Sequence, residues 1–443
     1  MSGRRPHPIS SIARTLIAAA LSAPSLVAAQ EFGLDPLWKT GGVGSGIGEY
    51  GVPESVAIDS LGRVVVTDKG RMMLHVYAAD TGAPLFDIGA LGSTLGRFDR
   101  PNGIAIDASG QVLVVEQRNR RIQILDRTYQ PLWSIGGADR FQKPMGIALA
   151  RNGRIFVTDE ARADVQAFDA QGRFLFRFGQ DPVLNKVESI ELDETGGRIF
   201  VCDEGRSRVN IYDMSGDFQG WFGGQGSGPG QFGDDTNAVR LDGRGRIYVN
   251  DQGNQRINVF GSDTRFLASF RNNAGGFDSA DGLALSEPHN LFLIADQGHN
   301  RVVAFDLGEM QCRLERLELS AAAAAPAALA GAFDATPMLP PTPPWADGTL
   351  YLEARSAPGD PSRSEHALAH VRSNRDRRGV CVRLVETSAA SGVLRGRVEL
   401  GETTDQARPQ LATFAIDAVR AHLAGDASEL RFEFAPTAAP RVV

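Results

Sequence analysis

The chain has 443 residues and a formal charge of −7, from 46 Lys plus Arg against 53 Asp plus Glu. That balance excludes a general nucleic-acid binder, which needs a basic footprint, and an apolar content of 42% excludes wholesale disorder. With 50 glycines but 3 cysteines, the composition predicts many tight turns between short strands, an all-β protein without a disulfide framework.

The chain opens on what reads as a secretory leader, residues 1–29. Arg4, Arg5 and Arg14 make a basic start, and Thr15 to Val27 is an apolar run too short to span a bilayer. Val27 and Ala29 occupy the two positions inspected before cleavage at Gln30. The expectation is an exported protein, periplasmic or extracellular, and not an integral membrane protein.

One unit then recurs six times between about residues 50 and 310. Each begins with a short apolar strand, as in Gly103-Ile104-Ala105-Ile106-Asp107 or Gly282-Leu283-Ala284-Leu285. A turn leads to a β-branched strand ending in an acid: Asp68, Glu116, Asp159, Asp203, Asp251 or Asp296. A third strand follows, such as Arg256-Ile257-Asn258-Val259-Phe260, and then a fourth that usually ends in Gly. Four strands in roughly 40–45 residues is the signature of a propeller blade, which buries its faces only in a closed ring. The sixth repeat stops at Phe305 without a fourth strand, while Asp35-Pro36-Leu37-Trp38-Lys39-Thr40-Gly41 matches the fourth strand Gln130 to Gly136. Residues near 35–41 are therefore expected to complete the last blade, giving six blades over 30–310. The acid and the arginine five residues on (Glu116/Arg121, Asp203/Arg208, Asp251/Arg256, Asp296/Arg301) are expected to pair across the turn. Met73 and Asp164 break that pattern in blades one and three.

The segments "GPGQF", "RPNGIAIDASG" and "VNDQGNQRINVFG" resemble NHL repeats, over roughly residues 35–308. The resemblance implies a six-bladed NHL-type β-propeller and leaves function open, because propellers host enzymes and binding modules alike.

An Ala/Pro-rich linker is expected over 311–346, carrying Ala321 to Ala325 and Pro340 to Pro344. Beyond it, residues 347–443 show five or six alternating runs that suggest a small β-sandwich, and "VRLVETSAASGVLRGRVEL" resembles bacterial Ig-like modules. Cys202 lies inside an apolar strand and reads as a buried thiol, whereas Cys312 and Cys381 could bridge two regions. His366 and His370 lie on an apparent strand and read as residues of one face.

Strand direction places a candidate site. The residue before each opening Gly, Ser or Ala is Glu54, Asn102, Met145, Glu188, Asn237 and Asp281 in turn. Five carry side-chain oxygen and should ring one channel mouth, where oxygen donors suit a hard cation, calcium above all. Glu54, Glu188 and Asp281 are the strongest expected ligands, with Asn102 and Asn237 behind them. Lys69, Arg71, Arg118, Arg162, Arg206 and His299, in neighbouring turns, could rim that cation and take an anionic substrate. Propeller lactonases and phosphotriesterases of the gluconolactonase-like kind hold calcium with such Glu/Asn/Asp sets. Propeller amidating lyases place His there for zinc, which this chain lacks at all six positions. "VESIELDETGGRIFVCDEG" and "SADGLAL" resemble segments of β-propeller phytases, which implies calcium- or phosphate-site roles for Glu188, Glu204 and Asp281. Two function classes stay open. One is a calcium-dependent hydrolase of phosphoesters or lactones. The other is a non-catalytic module presenting its loop face to a protein or glycan.

Overall fold

The computed structural model describes residues 30–179 and 184–322, and beyond these the backbone of strands between Ala332 and Pro436. The expected leader, 1–29, lies outside the described residues.

Six four-stranded antiparallel blades form a closed β-propeller. Blade one comprises Pro53–Ile58, Arg63–Asp68, Met73–Ala78 and Pro84–Ile88, and blade two Pro101–Ile106, Val112–Glu116, Arg121–Leu125 and Pro131–Gly136. Blades three to five start at Pro144–Leu149, Val187–Asp193 and Thr236–Leu241. Blade six holds Ala280–Ser286, Leu291–Asp296 and Arg301–Asp306. Its fourth strand is Trp38–Gly41, paired antiparallel to the third with Trp38 opposite Ala304, which is the closure expected from the repeat. A second closure was not legible. Gln30–Leu34 lies parallel to Phe266–Asn272 as a fifth strand on blade five and puts Leu34 and Phe32 against Phe270.

The blades cohere because alternate residues of each strand face the neighbouring blade, and burying those apolar faces supplies most of the stabilisation. Val115, Ile122, Phe141, Ile147 and Phe168, for example, form one buried cluster between blades two and three. Buried ion pairs fasten the turns. Arg121 Nε donates to Glu116 Oε1 at 2.5 Å, Arg256 Nε to Asp251 Oδ2 at 2.8 Å and Arg301 Nε to Asp296 Oδ2 at 2.7 Å, while Arg208 stands 3.9 Å from Asp203. The remainder of the Arg121, Arg256 and Arg301 guanidinium groups serves loop carbonyls, as Arg256 Nη2 does for Gly228 and Gln231, both at 2.9 Å. Blade one uses His75 instead, with its ring nitrogens 3.1 Å from Asp68 and 2.7 Å from Asp87. In all six blades the residue before the third strand adopts positive φ, between 47° at Ser207 and 58° at Met72, so one turn shape recurs without glycine.

A helix, Leu307–Ala322, follows blade six and occupies the first residues of the expected 311–346 linker. Asp306 accepts the Glu309 N–H and Asn290 the Gly308 N–H, capping its start. Leu307, Met310 and Leu314 share one face and bury it against Phe292 and Phe305. Cys312, on this helix, is disulfide-bonded and Cys202 is a free, buried thiol; the side chain of the expected partner, Cys381, lies outside what is described. Farther on, Gly348–Ser356 pairs with Val393–Gly401 and Ala427–Pro436, and His366–Ser373 with Val380–Glu386 and Val419–Ala424. The expected sandwich core, and the side chains of His366 and His370, lie outside the described residues.

Candidate cation site at the channel mouth

In each blade the start of the innermost strand opposes the end of the second, as Pro53 opposes Asp68 and Ala280 opposes Asp296. Residues one position into the inner strands therefore share a face with the turns between strands two and three. The inner strands also approach one another closely. A Cβ on Gly146 would come within 2.5 Å of the Glu188 carbonyl, and one on Gly282 within 2.6 Å of the Glu54 carbonyl. Glycine after the mouth residue thus lets the next blade's mouth residue reach the axis. Hydroxyls complete the stitching: Thr67 Oγ1 donates to the Asn102 carbonyl at 2.7 Å and Thr158 Oγ1 to that of Glu188 at 2.6 Å.

Glu54, Asn102, Glu188, Asn237 and Asp281 line one cavity of about 40 Å³. They do so unequally. A hydrogen-bonded arc crosses blades two, one, six and five. Asn102 Nδ2 donates to Glu54 Oε1 at 2.7 Å and Lys69 Nζ sits 2.6 Å from Glu54 Oε2. The Gln297 amide bridges Glu54 Oε2 at 2.8 Å and Asp281 Oδ2 at 2.9 Å, and Asn237 Nδ2 donates to Asp281 Oδ1 at 3.0 Å. All four oxygens of Glu54 and Asp281 are engaged. Glu188, across the axis, has no hydrogen bond or ion pair among the described residues. Met145 turns its sulfur to the Gln117 amide at 2.8 Å and contributes no oxygen.

Crowding carboxylates in this enclosed space raises their proton affinity. Burial and the Asp281 charge push Glu54 up to about 8 against the pull of Lys69. Burial, then the charges of Asp281, Glu204 and Glu160, hold Glu188 well above the usual carboxylate range. Asp281 is raised by burial, with Lys69 and Asn237 opposing. Burial and a hydrogen bond with Asp235 push Glu204 up to about 7 despite its ion pair with Lys186.

The basic residues expected to take an anion are distributed otherwise. Lys69 enters the mouth and is bound to Glu54. Arg71 turns outward to the carbonyls of Ser45, Gly46 and Glu49. Arg118 is mostly exposed, 3.9 Å from Asp99; Arg162 and Arg206 stand 3.7 and 3.6 Å from Asp159 and Asp203; His299 lies 2.9 Å from Asp296. None of these five bonds a mouth carboxylate.

A second tier was legible only at Lys69 and Glu204. The residue after the acid of strand two is Lys69, Gln117, Glu160, Glu204, Gln252 and Gln297 in blade order. Four of these bond a mouth side chain: Lys69 to Glu54, Gln117 to Met145, Gln252 to Asn237, and Gln297 to both Glu54 and Asp281. Reading that column down the six repeats would have found Gln117, Gln252 and Gln297 as well.

The donor set fits calcium in chemistry, since every candidate group is oxygen. No three Asp, Glu, His or Cys side chains among the described residues are grouped to hold a metal. No helix among them is long and apolar enough to cross a membrane.

Comparison with protein-family models and with curated proteins finds no match. Similar solved structures include a streptogramin B lyase, 10% identical over 58% of this chain and 83% of that one with a TM-score of 0.44. Virginiamycin B lyase from Staphylococcus aureus is 10% identical over 60% and 98%, with a TM-score of 0.45. A nidogen/laminin complex is 18% identical over 49% and 79%, with a TM-score of 0.42.

Proposed function

We propose that this protein is an exported binding propeller whose channel mouth takes up a positively charged ligand. One observation carries the reading: three carboxylates, Glu54, Glu188 and Asp281, line one small cavity, and Lys69 is the single cation bonded to any of them among the described residues. Fully ionised, the mouth would hold two unit charges in excess, so the empty site holds on to protons and a cation entering it takes their place. Arg240 also lines the cavity but is committed to Glu191 at 3.5 Å and to Ser189 Oγ at 3.2 Å. The basic, then apolar, residues of 1–29 support export.

A calcium-dependent hydrolase of phosphoesters or lactones is the second reading, favoured by the all-oxygen donor set. Glu54, Asn102, Glu188, Asn237 and Asp281 would hold the ion, which supplies Lewis-acid charge when bound. Melting curves with calcium, organic cations, phytate, an aryl phosphate and a lactone separate the two. The binding reading expects cations alone to raise the melting temperature, and Glu188→Gln to abolish the rise. Turnover of an ester that Glu188→Gln removes would establish the hydrolase in its place.

A further inference from the structure

The two carboxylates of the hydrogen-bonded arc fix which way the mouth amides face. A carboxylate only accepts, so Glu54 Oε1 holds the nitrogen of Asn102 and Asp281 Oδ1 that of Asn237. Their carbonyl oxygens are left over. Asn237 Oδ1 is buried without a hydrogen-bond partner, and among the described residues Asn102 makes its side-chain bond through Nδ2 and the Glu188 carboxylate makes none. The vacant hydrogen-bonding positions at this mouth are therefore acceptors on three different blades, one of them a carboxyl group that a cation would ionise, and an orphaned buried acceptor costs about 1–3 kcal/mol.

We infer that the cavity receives a primary ammonium group on an unbranched carbon chain, hydrogen-bonded to Glu188, Asn237 and Asn102. An ammonium brings three N–H donors and one positive charge, matching the open positions in number and sign. Size agrees. A water needs roughly 10–15 Å³ of such space, so about 40 Å³ holds the nitrogen, its first methylene and one water. Calcium takes six to eight oxygens, while the four oxygens of Glu54 and Asp281 already accept from Lys69, Gln297, Asn102 and Asn237. The inference rests on the cation-binding reading and names the chemical class within it.

Calorimetric titration of the purified protein with a capped lysine, 1,4-diaminobutane, tetramethylammonium and calcium tests both. The expected result is saturable binding of capped lysine or the diamine and none of tetramethylammonium, which has equal charge but no N–H. Glu188→Gln and Asn237→Ala should each weaken that binding about tenfold or more, both variants keeping a cooperative melt. Tetramethylammonium binding as tightly as the amines, or calcium displacing them at equal concentration, overturns the ammonium assignment and leaves the cation site standing. Silence from all four ligands overturns both.

Discussion

Asp164 stands directly opposite Asp159 across the second and third strands of blade three, both side chains fully buried. Blades two, four, five and six set an arginine against an acid at the same register position. Here neither Asp164 oxygen accepts a well-formed hydrogen bond, and Arg177 is 4.0 Å away. Burial and the Asp159 charge push Asp164 up to about 6 from an ordinary 3.8.

A carboxyl whose pKa is higher folded than unfolded favours the folded state most when protonated. Blade three should therefore be most stable below pH 4, lose stability as pH rises to about 6, and level off beyond. Asp164→Asn removes the penalty and should stabilise the protein by about 1–2 kcal/mol at pH 7, after allowance for screening. Urea unfolding at pH 4, 5, 6 and 7 measures this. Parallel curves for parent and variant would refute it.

Glu188→Gln should raise the melting temperature of the ligand-free protein while abolishing its response to cations, because one neutral amide replaces an uncompensated carboxylate. The pH course follows from Glu54, pushed up to about 8. Between about 4.5 and 8 the unfolded chain releases this proton first, so stability of the empty protein falls with rising pH across that window. Cation binding should tighten over the same interval. Melting curves at pH 5 and pH 8, with and without ligand, check both signs.

Removing one guanidinium from a fastened turn should cost more than any surface change. Arg256→Ala leaves Asp251 buried without its cation and frees the carbonyls of Gly228 and Gln231. A loss of about 3–5 kcal/mol is expected, read from the urea midpoint. Arg118→Ala is the control: its partner is 3.9 Å away and its side chain mostly exposed, so the change should stay within about 0.5 kcal/mol.

Gly282→Ala tests how the mouth is assembled. The added methyl would press on the Glu54 carbonyl and push blade one outward. Cation affinity should fall severalfold, along with a melting temperature lowered by a few degrees, since overpacking costs about 1–3 kcal/mol. An alanine at Gly197, where a Cβ meets nothing within 4 Å, controls for space but carries φ of +67°, so its cost is backbone strain alone.

The ring of blades was legible because each repeat writes its strands in apolar alternation and its turn in an acid. The closing strand Trp38–Gly41 was legible because it copies another fourth strand almost residue for residue. Gln30–Leu34 escaped notice because its parallel pairing with Phe266–Asn272 has no counterpart in the other blades to compare it with. The helix Leu307–Ala322 was obscured by the Ala-rich composition that follows it. At the mouth, spacing located Glu54, Asn102, Glu188, Asn237 and Asp281 around one cavity. What spacing could not give was the amide of Gln297 tying Glu54 to Asp281, because bond direction is set by geometry between blades. The arginines that open the third strands illustrate the converse: Arg121, Arg256 and Arg301, five residues after their acids, are each committed to that acid in space.

Closure by the first residues of the propeller has a consequence for its biogenesis. Trp38–Gly41 and Gln30–Leu34 find their partners only after residues 256–306 exist. Until then the earliest part of the polypeptide must wait beside an unfinished ring, and blades five and six expose open edges to any other extended segment nearby. Assembly is thus committed by its last-made repeat, and a chain interrupted before Asp306 would be left adhesive rather than merely short.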